Sequence, residues 1–169
     1  MLFNFFYPDE YLDNAYDIDY ESLYKMGYRG IIYDIDNTLV PHGFPSDTKS
    51  LALFKRLRLI GFNTMVLSNN KEPRVKMFCD AVDTPYIYKA HKPAKSGYLN
   101  AMKLMGTTLG DTLFIGDQLF TDVYGARRTG IYSILVKPIH PKEEIQIVLK
   151  RRLEKIVLFF YLKRKKREK

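Results

Sequence analysis

From Gly30 onward the chain alternates short apolar runs with longer stretches of helical periodicity. The runs are GIIYDI, NTMVLS, PYIYKA, DTLFIG and YSILV. Each is rich in β-branched or aromatic residues with little polar alternation, the pattern of strands buried on both faces of a parallel sheet. Between them lie SDTKSLALFKRLRLIG, KEPRVKMFCDAV, PAKSGYLNAMKLMG and QLFTDVYGARRTG. Leu51, Phe54 and Leu57 keep helical spacing, and Gly61 supplies a stop. Ser46 and Pro93 suit helix starts, and Gly106 and Gly130 suit helix ends. Five strands alternating with helices predict an α/β fold, a three-layer, doubly wound, Rossmann-like parallel sheet. Upstream, PDEYLDNA reads as polar and helix-like. It leads into DYESLYKMG, a helix for which Asp19 is a good N-cap. Downstream, Ile145, Val148, Leu149, Leu153, Ile156 and Phe160 fall on one helical stripe, followed by KRKKREK. The expected organisation is one domain over residues 1–140, then an amphipathic helix and basic tail over 141–169.

Composition adds little to this picture, but charge placement adds a good deal. At 169 residues, 46% hydrophobic and 27% charged, the chain is long enough to bury a sizeable core. The net charge of +8 is local. Residues 150–169 carry 10 Lys and Arg against Glu154 and Glu168, whereas the first 149 residues balance at 17 of each sign. The pattern is a neutral domain with a basic handle. The single cysteine, Cys79, fits a reducing compartment and reads as a buried, inert thiol. The longest aliphatic and aromatic run, IVLFFYL, is far short of the roughly 20 residues that cross a bilayer. MLFNFFYPDEY lacks the basic start and cleavage site of a signal peptide, so the expected location is the cytoplasm.

Candidate chemistry gathers where the apolar runs end, because open α/β sheets bind ligands outside the carboxyl ends of their strands. The letters YDID occur twice. The copy at Tyr16–Asp19 precedes a helix, and its aspartates read as loop and cap residues. The copy at Tyr33–Asp36 ends a strand, where residues two apart share a face, so Asp34 and Asp36 can converge on one ligand. Asn37 and Thr38 then turn the chain, offering backbone N–H groups to phosphate oxygens. Other run ends supply Ser68, Asn69 and Asn70, then His91 and Lys92, then Asp117 and Asp122 in GDQLFTD. Carboxylates, a hydroxyl and a lysine at one edge suit magnesium, which takes oxygen ligands and keeps substrate phosphate in its shell. Glycine-rich nucleotide loops are absent. Arg74 and Arg127–Arg128 read as solvated helix faces.

DIDNTLV, VLSNN, HKPAK and GDQLFTD resemble, in order and spacing, the four motifs of haloacid dehalogenase-like (HAD) phosphatases, over about residues 30–136. The resemblance implies that Asp34 is a nucleophile forming an aspartyl-phosphate and that Asp36 is the general acid and base. It also implies that Ser68 and Lys92 hold phosphoryl oxygens; Asn37 and Asn69, by their place at the run ends, are further candidate donors. Asp34, Asp36 through its carbonyl, and Asp117 would bind Mg²⁺, supported by Asp122. Receiver domains carry a similar acidic cluster. Their acidic residues are adjacent and their acceptor sits on a later strand, and neither arrangement occurs here.

Only 31 residues separate Asp36 from Ser68, and 23 separate Ser68 from Lys92. No cap domain fits in either interval. An open site suits a phosphate displayed on something large, such as a protein, a nucleic-acid end or a lipid headgroup. The whole chain resembles the YqeG-type branch of capless HAD phosphatases (subfamily IIIA), which includes phosphatidylglycerophosphate phosphatases. An apolar stripe beside a polybasic run is the two-signal pattern for anionic membranes. Six cations at about 1 kcal/mol each give roughly 6 kcal/mol, an affinity on the order of 10⁻⁵ M. Residues 150–169 are therefore expected to bring the site to a membrane rather than to build it. RNA stays open as a partner, since lysine runs bind any polyanion, and so does packing of this helix on the protein's own sheet with a solvated basic end.

Overall fold

The computed structural model describes residues 3–140 and 145–168. Six strands form one all-parallel sheet: β1 (Glu10–Leu12), β2 (Gly30–Tyr33), β3 (Asn63–Leu67), β4 (Tyr86–Ile87), β5 (Thr112–Gly116) and β6 (Tyr132–Val136). Their spatial order is β1-β6-β5-β2-β3-β4. Central β2 pairs with β3 on one side (Tyr33 opposite Val66) and β5 on the other (Tyr33 opposite Ile115). The first, second and fourth chemical motifs thus end side by side.

Six helices cover the sheet: α1 (Tyr20–Lys25), α2 (Thr48–Ile60), α3 (Glu72–Val82), α4 (Lys95–Met105), α5 (Tyr124–Thr129) and α6 (Ile145–Lys165). The period of two along each strand sorts the core into two layers. Ile31, Tyr33, Val66, Leu113, Ile115 and Ile134 pack under α1, α2 and α3. On the other face, Ile32, Met65, Leu67 and Phe114 meet Tyr98, Ala101 and Met102 of α4 and Ala126 of α5. Leu135 shares a smaller cluster with Tyr7, Leu119, Val123, and Val157 and Tyr161 of α6. The three-layer α/β architecture is the expected one. Among the described residues no inserted domain closes over the sheet: α2 and β3 fill the first interval between motifs, and α3 and β4 the second.

The structure corrects several local expectations. PDEYLDNA contains β1, a sixth strand, instead of a helix. Asp9 accepts hydrogen bonds from the Ser133 N–H (2.8 Å) and hydroxyl (2.9 Å), and its own N–H donates to the Ser133 carbonyl. That clasp sets Glu10 opposite Ile134 and seeds an edge strand. Helix α2 is capped by Asp47, not Ser46, through a reciprocal box in which each of Asp47 and Ser50 accepts the other's backbone N–H. Helix α4 starts at Lys95 rather than Pro93, and β4 is only two residues long. After it, Lys89 and His91 take left-handed backbone angles (φ 44° and 54°), turning the chain so that Lys92 points back into the sheet edge. LFTDV forms a π-helical turn, Leu119–Val123, ahead of α5; such turns recur at functional sites.

The first YDID copy is a loop and a helix cap, as its flanks suggest. The Asp19 carboxylate accepts from the Ser22 N–H (3.0 Å) and hydroxyl (2.7 Å), and Asp17 is bound to the side chain of Asn14.

Helix α6 differs most from expectation. Its fully buried residues are Glu154, Val157 and Tyr161. Most of the stripe read from the sequence faces outward: Ile145, Leu149, Leu153, Ile156 and Phe160 are all exposed.

Candidate active site

The second YDID copy ends β2, and the Asp34 N–H extends the ladder by donating to the Ile115 carbonyl (3.0 Å). Ile35 is buried in the core, so the two flanking carboxylates project to the carboxyl edge of the sheet. They do different things there. Asp34 turns toward Lys92, whose Nζ donates to Asp34 Oδ1 at 2.6 Å and to Asp122 Oδ1 at 2.7 Å. Asp36 turns the other way. It accepts from the Gly43 N–H (2.8 Å), the Asn70 amide (3.2 Å) and the Arg74 guanidinium (2.8 Å), with His42 at 3.9 Å.

Lys92 is itself held in place. Its N–H donates to Asn69 Oδ1 (2.7 Å), and its carbonyl accepts from Asn69 Nδ2 (3.1 Å). Asn69 thus locks the backbone of the lysine. Ser68 directly follows β3, with its N–H on the Ile87 carbonyl and its Oγ accepting from the Asn70 N–H (3.1 Å). The turn after Asp36 is self-contained. The N–H of Asn37 donates to the Val40 carbonyl (2.7 Å) and that of Thr38 to the Ile35 carbonyl (3.1 Å), so the two donors expected for phosphate are already used. The Asn37 side chain instead accepts from the His140 N–H (3.2 Å).

At the end of β5, Asp117 accepts from the Thr38 hydroxyl (3.0 Å) and from Arg151 of α6. Asp122 comes from the π-helical turn, its Oδ2 accepting the Gln118 N–H (3.1 Å). Gly116 is required by this packing, because a Cβ at that position would overlap the Asp122 carboxylate. Oxygen atoms of Asp34, Asp117 and Asp122 lie within 4.8 Å of one another, and all three residues are buried. Such a donor set fits a small, hard divalent cation.

Burial dominates the electrostatics. It pushes the Asp34 carboxyl up to about 7, against the pull of Lys92, with Asp122 and Asp36 adding to the rise. Asp117 is raised well above the usual carboxylate range for the same reason, despite Arg151. For Lys92 burial works downward, but the carboxylates beside it prevail and hold it firmly protonated. Asp36 shows the opposite balance. Burial would raise it, yet the Gly43 N–H, Arg74 and His42 keep it below its ordinary value. A cation held among the three buried carboxylates would add to the pull of Lys92 on Asp34.

Two arginines that matter here did not stand out in the sequence. Arg74 is an Asp36 partner and not a solvated cation; its side chain is only 11% exposed. Arg151, together with Glu154, makes α6 a wall of the site, which corrects the expectation that the tail stands apart from it. The signal available for Arg74 was its place in the first turn of the helix that follows SNN. For Arg151 there was none within a run of like charges.

A family model described as HAD-hydrolase-like matches residues 90–144. The chain is 39% identical to the probable phosphatase YqeG of Bacillus subtilis (strain 168), covering 94% of this chain and 92% of that one. It is 28% identical to phosphatidylglycerophosphate phosphatase 1, chloroplastic/mitochondrial, of Arabidopsis thaliana, over 87% of this chain but only 45% of that longer protein. Among solved structures, the cobalt-bound deoxy-D-mannose-octulosonate 8-phosphate phosphatase (YrbI) of Haemophilus influenzae shares the fold. The TM-score is 0.52 at 14% identity, over 66% of this chain and 80% of that one. The chain belongs to the HAD-like phosphatases. Within that family, the similarity to YqeG extends over almost its whole length.

Proposed function

We propose that this chain is a Mg²⁺-dependent phosphomonoester hydrolase that works through an aspartyl-phosphate on Asp34, and that its substrate is a phosphate carried on a lipid headgroup. The observation that carries the chemistry is the buried cluster of Asp34, Asp117 and Asp122 with Lys92 bridging two of them. In the first step a carboxylate oxygen of Asp34 attacks phosphorus, and the bond from phosphorus to the ester oxygen breaks. Asp36 gives its proton to that departing oxygen. In the second step Asp36, now a carboxylate, takes a proton from a water that attacks phosphorus, and the bond to Asp34 breaks. Lys92 and the Ser68 hydroxyl face the phosphoryl oxygens, and Asn69 keeps Lys92 in place. A divalent cation held by Asp34, Asp117 and Asp122 would neutralise charge on the phosphoryl group.

Asp36 rests as a carboxylate beside Arg74 and Gly43, so it must leave them and take up a proton before it acts as an acid. Asp36→Asn is expected to lower turnover of an alkyl phosphate by about 10²- to 10⁴-fold, the usual contribution of acid–base catalysis. Phosphoryl transfer from an aryl phosphate to Asp34 should suffer less, because a phenolate leaves without help. Equal losses in single-turnover transfer from both esters would remove the acid role from Asp36.

Three features support the lipid. Two relatives are named as phosphatidylglycerophosphate phosphatases. Among the described residues no cap closes over the site. The outward face of α6 sets Leu149, Leu153, Ile156, Phe159 and Phe160 among Arg152, Lys155 and Lys163, beyond which come Arg164 to Arg167. Among the described residues no helix is long and apolar enough to cross a membrane, so this face would lie in the interface. The deciding assay compares phosphatidylglycerophosphate in vesicles with a panel of soluble phosphates, with and without a chelator. Preference for a soluble ester, or turnover that survives chelation, goes against this reading.

The same assay carries a prediction about the tail. Removing Lys163–Lys169 leaves Tyr161 and the inward face of α6 in place. Binding to anionic vesicles should weaken, most visibly at low salt where screening is least. Hydrolysis of a soluble aryl phosphate should stay near normal. Unchanged vesicle binding would exclude the basic end as a membrane contact, and competition by RNA would point to a polynucleotide instead.

A further inference from the structure

The inward face of α6 makes contacts that a docking helix does not need. Arg151 donates from Nη1 to the Asp117 carbonyl (2.5 Å) and from Nη2 to Asp117 Oδ2. One guanidinium therefore grips both the main chain and the side chain of the same residue. Glu154, one turn along, accepts from Arg151 Nη1 (2.9 Å) and from the Leu119 N–H (2.8 Å). The loop of contacts closes on the Gly116–Leu119 turn that presents Asp117. On the far side, Thr38 donates to Asp117 Oδ1. Both carboxylate oxygens and the backbone of this one aspartate are thus fixed by neighbours.

We propose that Arg151 is a positioning residue of the metal site, holding Asp117 at the angle from which it shares a divalent cation with Asp34 and Asp122. This rests on the metal-dependent reading given above. The charge arrangement favours positioning over competition with the cation. Lys92 serves Asp34 and Asp122, and Asp117 is served by Arg151 instead. Three carboxylates confined together repel one another, and an unclamped Asp117 would turn away to relieve that repulsion. Glu154 neutralises Arg151 locally, so the clamp supplies direction without raising a positive field against an arriving cation. Planar, forked donors suit this task, and a single ammonium does not.

The test uses the full chain and reads metal binding rather than activity. Mn²⁺ binding is followed by electron paramagnetic resonance, Mg²⁺ by its displacement of Mn²⁺, and folding by far-ultraviolet circular dichroism of the metal-free protein. Arg151→Ala should weaken Mn²⁺ and Mg²⁺ binding by about 10- to 100-fold, the usual cost of losing a partner of a metal ligand. Arg151→Lys, which keeps the charge but not the fork, should recover only part of that loss. If Arg151→Ala does not fold, the lysine variant decides: affinity equal to that of the unaltered protein overturns the proposal. Tighter binding in Arg151→Ala also overturns it, since the guanidinium would then be competing with the cation. An unaltered protein that binds neither cation sinks the metal-dependent reading and this inference together. Tight binding by the unaltered protein, matched by every variant, sinks only this inference.

Discussion

Asp34→Asn is expected to lose turnover by about 10⁴- to 10⁶-fold, the scale seen when a covalent nucleophile is removed from an enzyme whose other groups remain. The amide is nearly the same size as the carboxylate and can still meet Lys92, so the fold persists. It cannot form the acyl-phosphate bond. Asp17→Asn is the matched control, because it changes the same letter in the other YDID copy. Asp17 lies in the loop before α1, bound to Asn14, and its replacement should leave activity intact. The measurement is steady-state turnover of a soluble phosphate ester alongside thermal unfolding of both variants. Normal turnover in Asp34→Asn would remove the nucleophile assignment. A folded but inactive Asp17→Asn would overturn the choice between the two copies.

Lys92→Ala has the largest expected effect on stability. Lys92 is buried between Asp34 and Asp122, at 2.6 and 2.7 Å. Removing one partner of a buried charge pair typically costs about 3–5 kcal/mol, because the remaining charge is left uncompensated. Here two carboxylates are left facing each other. For a domain of this size the melting temperature should fall on the order of 10 °C, measured in chelator so that no cation substitutes for the lysine. Turnover should fall as well, since the phosphoryl oxygens lose their cation. Combining Lys92→Met with Asp34→Asn removes one of the stranded charges and should recover part of the lost stability. If Lys92→Ala melts with the unaltered protein in chelator, Lys92 is not the counter-charge of the cluster.

The central strands and the four motif ends could be read from the sequence for one physical reason. A strand buried on both faces has to be written as an unbroken apolar run, so GIIY, TMVL and TLFI mark themselves and the polar letters after them. What escaped was set by partners remote along the chain. β1 is three residues at the sheet edge, half-buried, and depends on Asp9 meeting Ser133, 124 positions away. Arg74 reads as one more charged letter on a helix; only the placement of α3 beside the turn after Asp36 makes it an ion-pair partner. The phase of α6 was ambiguous for a different reason. Apolar residues lie on both sides of that helix, Val157 and Tyr161 on one and Ile156 and Phe160 on the other. The choice between them was made by Tyr7, Leu119, Val123 and Leu135, which no helical periodicity can reveal.

That phase has a consequence for how the end of the chain tolerates change. Arg151, Glu154, Val157 and Tyr161 face inward because they recur every three or four residues, while Leu149, Leu153, Ile156 and Phe160 follow the same spacing on the opposite side. Substitutions on one side leave the other alone. Insertions and deletions do not, because one residue gained or lost turns everything beyond it by about 100°. An insertion between Arg151 and Val157 would force a choice: keep the arginine at Asp117 and swing Tyr161 into solvent, or keep Tyr161 seated and withdraw the arginine. Length is therefore the variable that packing constrains in this helix, and its outward side answers only to what it meets outside the domain.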